Sequence, residues 1–337
     1  HALKDGEHVH LGCCRIVTRD FTWRDGERVV RFGPGALADA PALLGESYTL
    51  LTTERTVALA PQIAEGAGAV HHVPGGRVDE VAGDLRDAVD GELLVALGGG
   101  RVVDVTKALA AARGVGAAAI PTTLSAAEMT RGHRKARGAD PASGNVRPRV
   151  VINDPRLSAS QPEAELAASV ANALGHAVEG PMTPQASPVP ALTAREAVRL
   201  LAADGDREAL ALGALLSGYV IDSTGYGLHH ILAQTLARFA GVWHGHANAA
   251  MLPHTIPALR RRAPEVLAAL DAAAGEPVEA LARRLAQRAG ASRLSELGVT
   301  EAELETCVAQ ALDRPDRGGT PPAAGEAEIR ALYEAAW

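Results

Sequence analysis

The stretch Val95–Lys107, VALGGGRVVDVTK, followed by Ile120–Thr123, IPTT, decides the fold. The run Leu93–Leu97, LLVAL, is apolar without alternation, which is the pattern of a parallel strand buried on both faces. It stops at Gly98, Gly99 and Gly100. A helical pattern follows over Val102–Ala112, with Asp104 near its first turn and Lys107 three residues on. Glycines between a strand and a helix let bare backbone N–H groups approach a ligand closely. The helix N-terminus behind them carries partial positive charge, so the unit suits a diphosphate. The spacing is not GxGxxG, so the usual dinucleotide fingerprint is absent. A glycine-rich turn that binds nothing stays open as the alternative.

Outward from this unit, the chain divides by pattern. Short apolar strands are predicted at Arg28–Phe32, Tyr48–Thr52, Ala69–Val73, Leu93–Leu97, Ala117–Ile120 and Val150–Ile152, with helices between them, notably Arg77–Val89. Such alternation argues for a parallel sheet covered on both faces. After Pro155 the pattern is helical throughout: Pro162–Glu179, Ala191–Ala202, Arg207–Phe239, Pro257–Ala274, Val278–Ala289 and Glu301–Asp313. Gly180–Pro190 and Arg314–Gly325 read as Pro/Gly-rich loops. The expected organisation is an α/β nucleotide-binding domain over residues 1–155 and an all-helical domain over 156–337. The cleft between them is the default ligand site.

Composition sets limits on function. In 337 residues, 47% are hydrophobic and 22% charged, ordinary for a globular protein with a full core. The net charge is −7 and no basic stripe interleaves with aromatics, which argues against a nucleic-acid partner. Three cysteines, Cys13, Cys14 and Cys307, lack CxxC spacing and fit a reducing cytoplasm better than a disulfide framework. No apolar run approaches membrane-spanning length, so no membrane association is expected. The opening HALKDGEHVHLGCC has no clear pattern.

A second constellation lies in the helical half. Asn172 and His176 are four residues apart in SVANALGHAVEG, which places both on one helix face. His229, His230, His244, His246 and His254 crowd the later segment, five within the 26 residues from 229 to 254. Taken singly, each is an ordinary core or surface histidine. Together they point to a site, since histidine both binds metals and carries protons near neutral pH.

GGGRVVDVTKALA, IPTTLSAAEMT, NALGHAVEG and HGHANAAMLPH together resemble the iron-containing alcohol dehydrogenase superfamily, and within it the maleylacetate reductase branch. The likeness runs from FGPGALADAP at Phe32 to the closing IRALYEAAW. It implies the two-domain fold shared with dehydroquinate synthase, NAD(P)-dependent hydride transfer to or from a small carbonyl compound, and a homodimer. By position, the resemblance assigns Gly98, Gly99, Gly100 and Asp104 to the diphosphate. Thr122 and Thr123 fall to cofactor contacts, Lys135 to the cofactor ribose and Glu54 to the adenosine ribose. It assigns His176, His230 and His244 to the metal-ligand positions, with Asn172 where metal-bearing members carry Asp.

The departures shape the expectation. Asn172 removes the only anionic ligand, so a divalent ion, iron or zinc, is expected to bind weakly or not at all; maleylacetate reductases also tend to carry Asn there. His244 or His230 would then supply the proton. Gln234 replaces a histidine, Trp243 a proline, and Ala126 and Ala127 a glycine and a serine. A shortened loop, RGHRK, offers Arg131, His133, Arg134 and Arg137 as cationic candidates for a dicarboxylate substrate. Three other readings remain: a metal-dependent alcohol dehydrogenase, a cyclising or eliminating lyase of the dehydroquinate synthase type, and a non-catalytic descendant. No glycine–lysine-rich phosphate segment of the lyase kind is found.

Overall fold

The computed structural model describes residues 19–337; the opening segment, with Cys13 and Cys14, lies outside the described residues. Among the described residues seven strands form one sheet: β1 (Phe21–Asp25), β2 (Arg28–Phe32), β3 (Thr49–Thr52), β4 (Ala69–His72), β5 (Leu93–Gly98), β6 (Gly116–Pro121) and β7 (Val150–Asn153). Their order is β1-β2-β7-β6-β5-β3-β4. Only β1 and β2 are antiparallel; the other pairs are parallel. The short helices α1 (Ala40–Leu44), α2 (Glu54–Val57) and α3 (Pro61–Glu65) follow the early strands, with α4 (Val78–Leu85) and α5 (Gly100–Arg113) after them. Both faces of the central strands are covered. Leu50, Val95, Leu97 and Ile120 pack into one cluster, and Leu51, Leu94 and Ala96 into another with α5. Near-continuous apolar strands are the consequence.

All six predicted strands are present, and β1 is an addition. Its residues, FTWRD, alternate between half-buried and exposed on the edge of the sheet, so no apolar run marks it. The turn into β2 does carry a signal. Gly26, at φ 61°, sits first in a two-residue loop between the paired Asp25 and Arg28, a common hairpin arrangement.

Strand order places the ligand crevice. From β3 the chain moves outward to β4, whereas from β5 it moves the other way to β6. The neighbouring strands β3 and β5 therefore flank a topological switch point. In open α/β sheets the crevice at the carboxyl ends of such strands receives nucleotides.

The helical half comprises α6 (Glu163–Glu179), α7 (Pro188–Leu201), α8 (Arg207–Thr224), α9 (Leu228–Phe239), α10 (His244–Arg262), α11 (Pro264–Ala274), α12 (Val278–Arg288), α13 (Glu301–Leu312) and α14 (Glu326–Ala336). Two boundaries differ from expectation. The single helix predicted over Arg207–Phe239 is broken at 225–227, where Gly225 takes φ 74° and turns the chain. The helix predicted from Pro257 begins instead at His244 and runs through Pro253 and Pro257. Proline reads as a helix start, and in the interior it removes a hydrogen bond. Ala247, Ala249, Ala250 and Met251, all fully buried, supply the packing that carries the helix through.

The core of the helical half also takes in Val30 and Phe32 of β2, Val151 of β7, and Leu124 and Met129 of the β6–β7 connection. Sheet and helices therefore share one apolar core along that side.

Candidate active site

The crevice floor is fixed by threonines. Thr53 caps α2: its hydroxyl accepts from Thr56 N at 3.2 Å, and Thr56 Oγ1 accepts from Thr53 N at 3.0 Å. The Thr52 and Thr56 hydroxyls donate to Leu97 O at 3.0 and 3.1 Å, tying the end of β3 to the residue before Gly98. Glu54 follows this cap and is exposed. Thr122 N donates to Gly98 O at 3.0 Å, and Thr122 is buried while Thr123 is half-buried.

The glycines answer to two demands. A Cβ at Gly98 would lie 2.7 Å from Val102, and one at Gly100 2.9 Å from Ser125, so those two are already required by packing. At Gly99 a Cβ would come 3.1 Å from Thr123, narrowing the crevice itself. No side chain caps α5, so its first N–H groups stay available to an anion. The uncapped start of α5 and the bare Gly99 thus leave room for an anionic group at the crevice, with exposed Glu54 at the end of β3 beside it.

Two further residues of the expected cofactor set have partners within the chain. Lys135 is exposed and donates to the Pro141 carbonyl. Asp104 lies 2.8 Å from Lys107 Nζ. Fully buried Lys107 also donates to the carbonyls of Ala127, Thr130 and Gly132 at 3.0, 3.1 and 2.8 Å, which anchors the β6–β7 connection to α5. In that connection Ala126 holds φ 63°, a backbone conformation that costs a residue with a Cβ and suits the glycine of the related motif.

Opposite the crevice, α6 and α9 bring Asn172, His176, Glu179 and His230 together. The His176 and His230 rings stack with centroids 4.4 Å apart. His230 Nδ1 is 2.7 Å from Glu179 Oε1, and its backbone N–H donates to Glu179 Oε2 at 3.2 Å. His230 Nε2 lies 3.4 Å from Asn172 Oδ1, and Asn172 Nδ2 donates to the Ser125 carbonyl at 3.2 Å. Gly175 is dictated by this packing, since a Cβ there would sit 2.6 Å from His229. His229 Nδ1 lies 2.9 Å from Thr255 Oγ1, a hydroxyl that is also 3.1 Å from the Met251 carbonyl. Burial lowers the proton affinity of His176 and His230 well below the usual range, takes His229 down to about 3, and raises that of Glu179.

His244, at the start of α10, is exposed; desolvation lowers its proton affinity, which the Asp104 charge raises and the Arg134 charge lowers. Asn248 Nδ2 donates both to His244 O at 2.8 Å and to His244 Nε2 at 3.2 Å. That nitrogen's lone pair is therefore in use. Half-buried Tyr226 completes the wall, 5.3 Å from the His230 ring, and it too feels the Asp104 charge. His246 and His254 stand apart: His246 meets exposed Trp243 edge-on at 4.8 Å, and His254 lies near Arg283. Gln234 accepts from Arg314 at 3.0 Å.

The residues do not fit a metal as they stand. Among the described residues no group of three or more His, Cys, Asp or Glu side chains is arranged to hold one. His176 and His230 are brought together, but His244 Nε2 is engaged by Asn248, and Asn172 offers a neutral oxygen. Of the cationic candidates, Arg131 pairs with Asp222 at 3.3 Å and Arg137 with Asp84. His133 is used within its loop, its Nε2 accepting from Val146 N at 3.1 Å. Arg134 has no ion-pair partner among the described residues.

Sequence reasoning missed Glu179, Ser125 and Tyr226. Glu179 is three residues after His176 and seven after Asn172, on the same face of α6, so helical spacing was a sufficient signal. The Ser125 contact is made by a backbone carbonyl and leaves no trace in the sequence.

Residues 166–337 match the Fe-containing alcohol dehydrogenase family, C-terminal, and the chain belongs to that family of oxidoreductases. Among its relatives, maleylacetate reductase from Pseudomonas aeruginosa is 30% identical over 308 residues, 82% of this chain and 86% of that one. Maleylacetate reductase 2 from Cupriavidus pinatubonensis is 36% identical over 227 residues, 62% of each chain. The crystal structure of maleylacetate reductase from Agrobacterium tumefaciens superposes with TM-score 0.78 at 29% identity, covering 95% of this chain and 98% of that one. No helix among the described residues is long and apolar enough to cross a membrane.

Proposed function

We propose that the chain is an NAD(H)-dependent reductase of a small carbonyl compound, a keto acid of the maleylacetate kind, working without a resident metal. The observation that carries this reading is the bond from Asn172 to the Ser125 carbonyl. It sets the histidine pair against the loop that runs on from Thr122 and Thr123. Bound NADH would supply the hydride. The chain's own residues have the remaining tasks. Exposed Glu54 accepts from both adenosine ribose hydroxyls and repels a 2′-phosphate, which favours NAD(H) over NADP(H). Gly99 and the uncapped start of α5 hold the diphosphate, and Arg134 attracts a substrate carboxylate. Reduction leaves an alkoxide that must be stabilised and protonated, and His176, His230 and His244 are the groups present for it.

Residues 1–155 and 156–337 are the corresponding domains, and the working form is a homodimer in a reducing cytoplasm. Cys307, buried with its thiol pushed up to about 12, is inert on this view. The test is NADH consumption with maleylacetate and a panel of keto acids and aldehydes, alongside titration with NADPH. Turnover with a keto acid and tighter binding of NADH support the reading; no turnover with any carbonyl compound, or preference for NADPH, overturns it. A sedimentation mass of 34.8 kDa at micromolar concentration would refute the dimer.

A further inference from the structure

The two buried tyrosines place their hydroxyls on backbone carbonyls, Tyr48 on Ile63 at 2.6 Å and Tyr333 on Leu232 at 3.0 Å. Half-buried Tyr226 does not, although its ring lies in the wall of the candidate site, 5.3 Å from the His230 ring and 6.4 Å from that of His176. Among the described residues its hydroxyl has no hydrogen-bond partner. A phenol withdrawn from bulk water ordinarily has one, since leaving the group unpaired costs free energy. Crevice water is the bland partner, and a ligand oxygen is the alternative.

The placement of the hydroxyl favours the ligand. Tyr226 stands in the break between α8 and α9, where Gly225 at φ 74° turns the chain. Behind it, a Cβ at Gly319 would come 2.1 Å from the Tyr226 carbonyl oxygen, and one at Gly227 2.3 Å from Thr320 Oγ1. Thr320 Oγ1 also accepts from Leu228 N at 3.0 Å, so the backbone on either side of Tyr226 is pinned. In front, the hydroxyl reaches across to the β6–β7 connection. A Cβ at Gly132 would lie 3.8 Å from it and, apart from the adjoining residues, within 4 Å of nothing else. The Gly132 carbonyl is taken by Lys107 Nζ at 2.8 Å. The phenol thus spans from the histidine rings to open space beside the loop that carries Arg134, two residues beyond Gly132.

The charges there admit an anion. Three carboxylates act on Tyr226: Asp104, Glu179 and Asp222. Asp104 lies 2.8 Å from Lys107 Nζ, Asp222 lies 3.3 Å from Arg131 and 3.4 Å from Arg147, and Glu179 is turned to His230 at 2.7 Å. Arg134 alone of the nearby loop cations has no ion pair or hydrogen bond from its side chain among the described residues. We propose that the Tyr226 hydroxyl donates to a carboxylate oxygen of the substrate and so selects keto acids over neutral carbonyl compounds. On the reductase reading, on which this assignment rests, the carbonyl that is reduced belongs at the histidines. The carboxylate of a keto acid is displaced from that carbonyl, as the hydroxyl is displaced from the imidazoles. Arg134 supplies charge on a flexible stem, and the pinned phenol supplies direction. A neutral aldehyde offers the hydroxyl nothing, so it gains no affinity there.

Tyr226→Phe removes the hydroxyl and no hydrogen bond within the protein, so its urea midpoint should match that of wild type. With NADH saturating, its KM for maleylacetate should rise about tenfold or more, the worth of one hydrogen bond to a charged group, with kcat within about threefold. KM for any neutral aldehyde that the wild type also reduces should not change. Succinate, a dicarboxylate with no carbonyl to reduce, should bind the NADH-loaded wild type about tenfold more tightly than the variant by calorimetry, while NADH affinity holds within about twofold. Equal losses with keto acid and aldehyde overturn the proposal. So does a succinate affinity that the variant leaves unchanged, a wild type that binds no succinate, or a lowered urea midpoint with KM unaltered, which marks a structural hydroxyl. A wild type that reduces no carbonyl compound defeats the reductase reading, while the succinate comparison still decides whether Tyr226 holds a carboxylate.

Discussion

Glu128 shows how much a single buried group can impose. It is 1% exposed, Oε2 has no hydrogen-bond partner among the described residues, and burial pushes its carboxyl from 4.5 up to about 7. Between those values the unfolded chain has released a proton that the folded protein keeps, so stability falls as pH rises through that window. The loss is at most about 3 kcal/mol and is complete above pH 7. Glu128→Gln should therefore unfold at higher denaturant concentration than wild type at pH 8 and differ little at pH 5; a variant weaker at pH 8 would show that the carboxylate is stabilised instead. Asn172 carries the second prediction at this scale. Asn172→Asp supplies an anionic oxygen and removes the donor to Ser125, so dialysed protein should retain more zinc or iron than wild type by elemental analysis. One ion per chain held by the wild type through chelator treatment would instead show that the metal-free reading is wrong. The individual roles were only partly legible in sequence. His176, His230 and Asn172 declared themselves by type and spacing, whereas what Asn172 touches is a backbone carbonyl from a distant segment.

At the scale of elements, local patterns were read well where burial is uniform and poorly where tertiary packing overrides propensity. The central strands β3, β5, β6 and β7 are apolar because they are covered on both faces, and each was visible; β2, which alternates, and the exposed edge strand β4 were found as well. Edge strand β1 was not, since FTWRD alternates half-buried and exposed residues and contains no apolar run. The helix α10 was truncated in the reading because Pro253 and Pro257 look like boundaries until the buried alanines of its first half are seen to hold it. The β5–α5 turn is the element on which the cofactor reading rests. A side chain at Gly99 would meet Thr123 rather than the main core, so Gly99→Val should leave the fold intact and weaken NADH binding by about tenfold or more, roughly 1.4 kcal/mol. Titration of NADH fluorescence measures this directly, and unchanged affinity would place the diphosphate elsewhere. Gly98→Val and Gly100→Val make the contrast: their Cβ atoms would meet Val102 and Ser125, and those variants should lose stability.

Across the whole molecule, the two halves divided cleanly in the sequence but are joined in the structure. Trp23 on β1 meets Tyr219 on α8 edge-on at 5.4 Å. Asp222 at the end of α8 accepts from Arg131 N at 2.6 Å and lies 3.4 Å from Arg147, both in the β6–β7 connection. A Cβ at Gly218 would lie 2.7 Å from Met129, so α8 is pressed directly against that connection. With Phe32 and Val151 sharing the core of the helical half, neither half can lose its packing without exposing apolar surface of the other. The two should therefore unfold in one transition despite the chain length. The three tryptophans allow a direct measurement: Trp23 reports the sheet, Trp243 and Trp337 the helices. Variants retaining only Trp23 or only Trp337 should give the same urea midpoint. NADH at about 100 times its dissociation constant should move both midpoints together, by the equivalent of about 2.7 kcal/mol, because the ligand binds the folded form alone. Separate midpoints, or a shift confined to the Trp23 reporter, would show that the sheet half binds cofactor as an independent unit and that the bond from Asn172 to Ser125 does not couple it to the histidines.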